Sequence, residues 1–149
     1  TMSEDPLRRF EAEHREALAE LAQLEEAALG LREGGEEARH LAAAARVHGV
    51  LSTAVRAHNE AEEWALFPLL ADDPTVPVFV EEHRQLRALE EELAAGLDAG
   101  EAHRIAGTAL HLVDLLRSHI EREERMLFPS ARAALGADGL AEVARRLGG

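Results

Sequence analysis

The sequence predicts an all-α protein: an up-down-up-down four-helix bundle, followed by a short C-terminal helix. Three observations carry this expectation. Ala, Leu, Glu and Arg dominate the 149 residues, and all four are strong helix formers. Apolar residues recur at alternating three- and four-residue steps through four long segments. Clusters of Gly or Pro separate those segments, and such short links favour antiparallel neighbours. One domain is expected over residues 1–149, with the bundle at about 5–135 and the tail helix at about 138–147.

The first helix starts at Asp5-Pro6, an N-cap followed by a residue suited to the first helical position. Its stripe is Leu7, Phe10, Ala17, Leu21, Leu24, Ala28 and Leu31, with His14 filling the remaining place. It ends near Gly34-Gly35. The second helix runs from about Glu36 to Phe67, with a stripe of Leu41, Ala44, His48, Leu51, Val55, His58, Glu62 and Ala65. Pro68 and Asp72-Asp73-Pro74 break it. The third begins within Thr75 to Pro77 and stops between Gly96 and Gly100. Its inward positions are Phe79, His83, Leu86, Leu89 or Glu90, Leu93 and Leu97. The fourth runs from about Glu101 to Phe128, with Ile105, Ala109, Leu112, Leu116, His119, Glu123 and Met126 inward. It is expected to end or kink at Pro129, and Asp138 to cap the tail helix.

Composition excludes several classes. The formal net charge of -13 argues against nucleic acid as a partner, because phosphate binding needs a basic face. No apolar run approaches a membrane span. There is no Cys, hence no disulfide, thiolate ligand or cysteine nucleophile. No basic start or apolar stretch of a secretory signal is visible at Thr1–Pro6, and a cytoplasmic location is expected. The acidic surface and Ala-rich faces are compatible with a monomer or a homodimer.

A repeat marks the functional region. His58–Pro68 reads H-N-E-A-E-E-W-A-L-F-P and His119–Pro129 reads H-I-E-R-E-E-R-M-L-F-P, giving H-x-E-x-E-E-x-x-L-F-P twice, 61 positions apart. F-x-x-E-H-R occurs at Phe10–Arg15 and again at Phe79–Arg84, 69 positions apart. The two hairpins are thus copies of one unit, each with a His on its first helix and H-x-x-x-E on its second. Counting along antiparallel helices puts His14, His58, His83 and His119 at one height, with Glu62 and Glu123 one turn beyond. Buried carboxylates without partners are costly, and the chain has no Lys to neutralise them. A metal centre does so directly, and imidazole with carboxylate suits iron, zinc, nickel or copper. One arrangement that fits is two metals, one held by His14 and His58 and the other by His83 and His119, bridged by Glu62 and Glu123.

The remaining polar residues divide by position. His48 shares a stripe with His58 but lies ten residues away, too far to join, and reads as structural. His40, His103 and His111 read as surface or core-edge residues. Glu60 and Glu121 read as solvated, Arg87 as a surface charge, and Glu63 and Glu124 as groups that could support the site from behind. The shared L-F-P reads as helix-end packing.

This ordered set, His then H-x-x-x-E with L-F-P, then the same again, resembles the hemerythrin-like, or HHE cation-binding, domains over about residues 5–135. The resemblance implies a four-helix bundle holding a non-haem di-iron centre with carboxylate bridges, whose ligands are His14, His58, Glu62, His83, His119 and Glu123. It also implies a small ligand: oxygen, nitric oxide or peroxide. Oxygen-carrying members have H-x-x-x-H on the third helix, and here the second of those places is Arg87. Three functions follow as candidates. One is a di-iron protein that senses, stores or carries a small ligand or iron. Another is a di-iron enzyme that decomposes peroxide or reduces nitric oxide. The third is a bundle with zinc, another divalent metal or a single structural metal.

Overall fold

The computed structural model describes residues 5–148. Its elements are α1 (Pro6–Glu33), α2 (Glu37–Val50), α3 (Arg56–Ala61), α4 (Val76–Ala99), α5 (Ala102–Arg122) and α6 (Phe128–Arg146). No strand occurs among the described residues. Helix α1 packs against α2 and α5, and α4 against α5 and α2, which is the antiparallel four-helix bundle. The Asp5 carboxylate accepts from the backbone N–H of Leu7 at 2.9 Å, and Pro6 follows it, so α1 begins as its cap chemistry demands. Gly34 and Gly100 end α1 and α4 with φ of 76° and 67°, a region that favours glycine.

The second and fourth bundle helices are not uniform. A π-turn at Glu62–Leu66 follows α3, and its repeat counterpart, Glu123–Leu127, follows α5. Each takes one residue more than an α-turn, so the inward stripe lags by one position beyond the bridging-type Glu. This overturns one expectation: Met126 is 54 % exposed, and Leu127, at 1 %, takes its place in the core. A further π-turn, Leu51–Val55, joins α2 to α3 and has no counterpart in the fourth helix, where α5 runs unbroken through those positions.

The two L-F-P sequences also diverge. After the first, the chain tightens into a 3₁₀ turn at Phe67–Leu70 and leaves the bundle. After the second, Pro129 opens α6 without a break, because the widened turn before it accommodates the missing N–H. The break expected at Pro129 falls instead at Gly136, with φ 61° and ψ -170°, which redirects the tail. Arg132 ties α6 to the start of α1 through Asp5 at 2.6 Å and Glu11 at 3.2 Å.

The core has two apolar parts. One contains Leu21, Leu24, Val47, Leu93, Ile105 and Leu112. The other, at the end where α3 hands over to α4, contains Leu7, Phe10, Leu66, Phe79, Leu127 and Phe128. Along α1 the order is Phe10, His14, Ala17, and along α4 it is Phe79, His83, Leu86. A polar layer therefore lies between two apolar ones, shielded from both ends.

Candidate metal centre

The six predicted residues converge in that layer and are all buried: His14 2 %, His58 8 %, Glu62 0 %, His83 5 %, His119 1 % and Glu123 0 % exposed. Each His comes from the stripe position that periodicity assigned it. Each Glu lies four residues after a His on the same helix, one turn further along. The Nε2 atom of every His faces a carboxylate. His58 and His83 approach the two oxygens of Glu62 at 3.4 and 3.2 Å. His119 and His14 approach those of Glu123 at 3.3 and 3.0 Å.

Two four-residue groups result, each with its ligand-type atoms within 4.8 Å of one another: His14, His58, Glu62 and Glu123, and Glu62, His83, His119 and Glu123. They share both carboxylates. Nε2 of His58, His83 and His119, both oxygens of Glu62 and one of Glu123 are buried without a protein hydrogen bond. Orphaned polar atoms at such density demand a partner. Two imidazole nitrogens and two carboxylate oxygens on each side are a donor set that fits a divalent metal.

The opposite ring edges are tied to four further carboxylates. Nδ1 of His58 donates to Glu13 at 2.8 Å, that of His119 to Glu82 at 2.8 Å, that of His83 to Glu63 at 2.7 Å and that of His14 to Glu124 at 2.7 Å. With the proton on Nδ1, Nε2 is left as the inward lone pair. Glu63 and Glu124 thus stand behind the site as their places beside Glu62 and Glu123 suggested. Glu13 and Glu82 were missed. The signal was present, since both are the Glu of F-x-x-E-H-R, but each serves the His of the partner helix rather than its own neighbour. Arg15 holds Glu124 at 2.6 Å and Arg122 holds Glu82 at 2.6 Å.

The Phe of each repeat does more than end a helix. Phe10 and Phe79 meet His58 and His119 edge-on, with ring centroids 5.1 and 5.3 Å apart. Phe128 and Phe67 stack on His14 and His83 at 5.6 and 5.7 Å. These are the four Phe of the chain, and every one covers a site histidine.

Charge in this layer is strongly coupled. Burial pulls the His58 imidazolium down, but the Glu62 charge and the Glu13 hydrogen bond outweigh it and raise its pKa to about 10 among protein groups alone. Burial likewise opposes protonation of His119, and Glu123 reverses it, raising that group too. Burial would raise Glu62, yet the His58 charge holds it well below the usual carboxylate range.

Residues placed outside the site are outside it. His48 lies against Glu90, 3.7 Å away. His40 packs over Gly30, where a Cβ would fall 2.2 Å from its ring nitrogen. His103 and His111 are exposed. Arg87 faces outward, 3.3 Å from an exposed Glu60, so no fifth imidazole or substitute reaches the layer from that place. No described helix is long and apolar enough to cross a membrane.

The family model described as the hemerythrin HHE cation binding domain matches residues 5–131, and again residues 74–147. The second placement begins in the turn before α4, as expected of a chain built from two copies of one hairpin. No curated protein and no solved structure shows significant similarity.

Proposed function

The chain belongs to the hemerythrin HHE cation-binding family, and on that premise we propose that it is a non-haem di-iron protein that handles or senses a small ligand: oxygen, nitric oxide or peroxide. One observation carries the reading. Two four-residue groups share Glu62 and Glu123, so that each carboxylate presents one oxygen to each side. Paired sites with common carboxylates suit two metals close together, and a single structural ion would leave one group of orphaned atoms unanswered.

In this reading His14 and His58 hold one metal, His83 and His119 the other, and Glu62 and Glu123 bridge. When bound, such a pair supplies open positions for a small ligand and a reversible change of oxidation state. The protein's own part is positional. Glu13, Glu63, Glu82 and Glu124 fix the imidazole tautomers, and the four Phe exclude water from the ring faces. The two carboxylates bring negative charge to a layer that apolar residues close above and below.

A second reading, an enzyme acting on peroxide or nitric oxide, is favoured by the outward Arg87, which leaves the His83 side with two imidazoles and a position free to react. Iron loading followed by azide titration tests the first reading: about two irons per chain and a near-ultraviolet absorption that shifts with azide are expected. Zinc retained in preference to iron would overturn it. Peroxide turnover well above that of a His119→Ala control would select the enzyme.

A further inference from the structure

The repeat relates the face between the second and third bundle helices to the face between the fourth and first. Its offsets of 61 and 69 map Asn59, Arg87 and Glu90 onto Ile120, Leu18 and Leu21. The two faces are not alike. Between the second and third helices lies a cavity of about 300 Å³, with His83 and Glu63 on its wall at the site and Arg56 and Glu90 further along. Its counterpart is a surface recess lined by Leu18, Ile120 and Arg117 among others, and no site histidine lines it. Apolar side chains close on one face what polar ones leave open on the other.

The polar end is unusual for a bundle interior. Glu90 is 7 % exposed on a core stripe, where its counterpart Leu21 is 0 % exposed. Arg56 donates to Glu90 at 2.6 Å. Nε of Arg56 and Nε2 of the neighbouring His48 are buried with no hydrogen-bond partner. The π-turn without a counterpart, Leu51–Val55, separates these two residues and shifts the helix face here. Buried polar atoms beside a cavity of this size call for water or a hydrogen-bonding guest.

We propose that this cavity is a binding site for a small hydrogen-bonding ligand of a few heavy atoms, peroxide or an anion of azide's size, which it delivers to the His83 side of the centre. The wall provides donors from Arg56, Asn59 and Arg87 and acceptors from Glu60 and Glu90. A molecule that both donates and accepts is matched by such a wall, and an apolar diatomic gains nothing from it. The apolar alternative is a separate cleft of about 200 Å³ between the first and second helices, lined by Ala17, Val50 and Ala54 and reaching His14 and His58. The delivery step rests on the di-iron reading; binding in the cavity does not.

The test converts the polar face to its apolar counterpart. In iron-loaded protein, the double variant Asn59→Ile/Arg87→Leu and the single variant Glu90→Leu should each weaken azide binding about tenfold or more, read from the azide absorption, with iron content unchanged. Nitric oxide association should stay within about twofold in both. Ala54→Trp, which closes the apolar cleft, should leave azide binding intact and slow nitric oxide. Unchanged azide binding in the polar-face variants, or its loss in Ala54→Trp, would overturn the proposal. Metal-free protein separates the two layers of the argument: azide should shift the side-chain amide resonance of Asn59, and less so in Glu90→Leu. No shift in the unmodified protein overturns the cavity as a site. A shift in a protein that takes up no iron supports the cavity and removes the di-iron reading alone.

Discussion

His58 donates its Nδ1–H to the carboxylate of Glu13 at 2.8 Å, across the first hairpin. Its repeat counterpart, His119 with Glu82, has the same length across the second. The hydrogen bond ties ring orientation to hairpin packing, so Nε2 is aimed before any metal arrives. Glu13→Ala and Glu82→Ala should therefore lower metal affinity about 10–100-fold, measured by chelator competition, while the fold is kept. Glu60→Ala, at an exposed repeat position, should change it by less than about twofold. Equal losses at all three would deny that the hydrogen bonds are what matters.

The buried carboxylates trade stability for binding. Glu62→Leu removes a fully buried charge and keeps an apolar volume. Metal-free, this variant should melt no lower than the unmodified protein, because buried ion pairs are often no better than apolar packing. With metal, only the unmodified protein should gain, by about 4 kcal/mol at a thousandfold excess over Kd. A variant that still gains as much on metal addition would exclude Glu62 from the centre.

Phe128 is 0 % exposed and stacks on both Phe10 and His14. Phe128→Ala should cost about 3–5 kcal/mol in urea unfolding, the usual range for an emptied aromatic site. Met126→Ala, two residues earlier but facing solvent, should lie within about 0.5 kcal/mol. The reverse ranking would mean that the π-turn does not set the register described above.

Protons and metal compete for the imidazoles. The His58 pKa, raised to about 10, means that its stabilising contribution is complete below about pH 6.5 and is lost as pH rises through about 10 in metal-free protein. At pH 7.5 the metal must displace that proton. Loading should release about one proton or more per chain, seen by calorimetry in buffers of different ionisation enthalpy, and should weaken as pH falls. Loading without proton release would contradict this charge state.

The site was legible because its signals are local and doubled. Helical periodicity places His14, His58, His83 and His119 on inward stripes, and the repeat aligns them in height. What the sequence hid is set by events that periodicity cannot see. The exchange of Met126 for Leu127 follows from an extra residue in one turn. The position of Gly136 as the break depends on a π-turn absorbing Pro129. Glu90 over Leu89 as the inward residue depends on Arg56, a partner on another helix. Glu13 and Glu82 were visible as repeated residues, but their partners lie across the hairpins, and spacing along one helix says nothing about that.

The central claim is a pair of metals held between four histidines and two shared carboxylates. Iron content per chain after anaerobic loading and removal of excess tests it most directly, with His119→Ala and Glu123→Ala measured alongside. The account predicts about two irons per chain in the unmodified protein and a marked loss in both variants. Below one iron per chain in the unmodified protein, or equal retention in the variants, would contradict it.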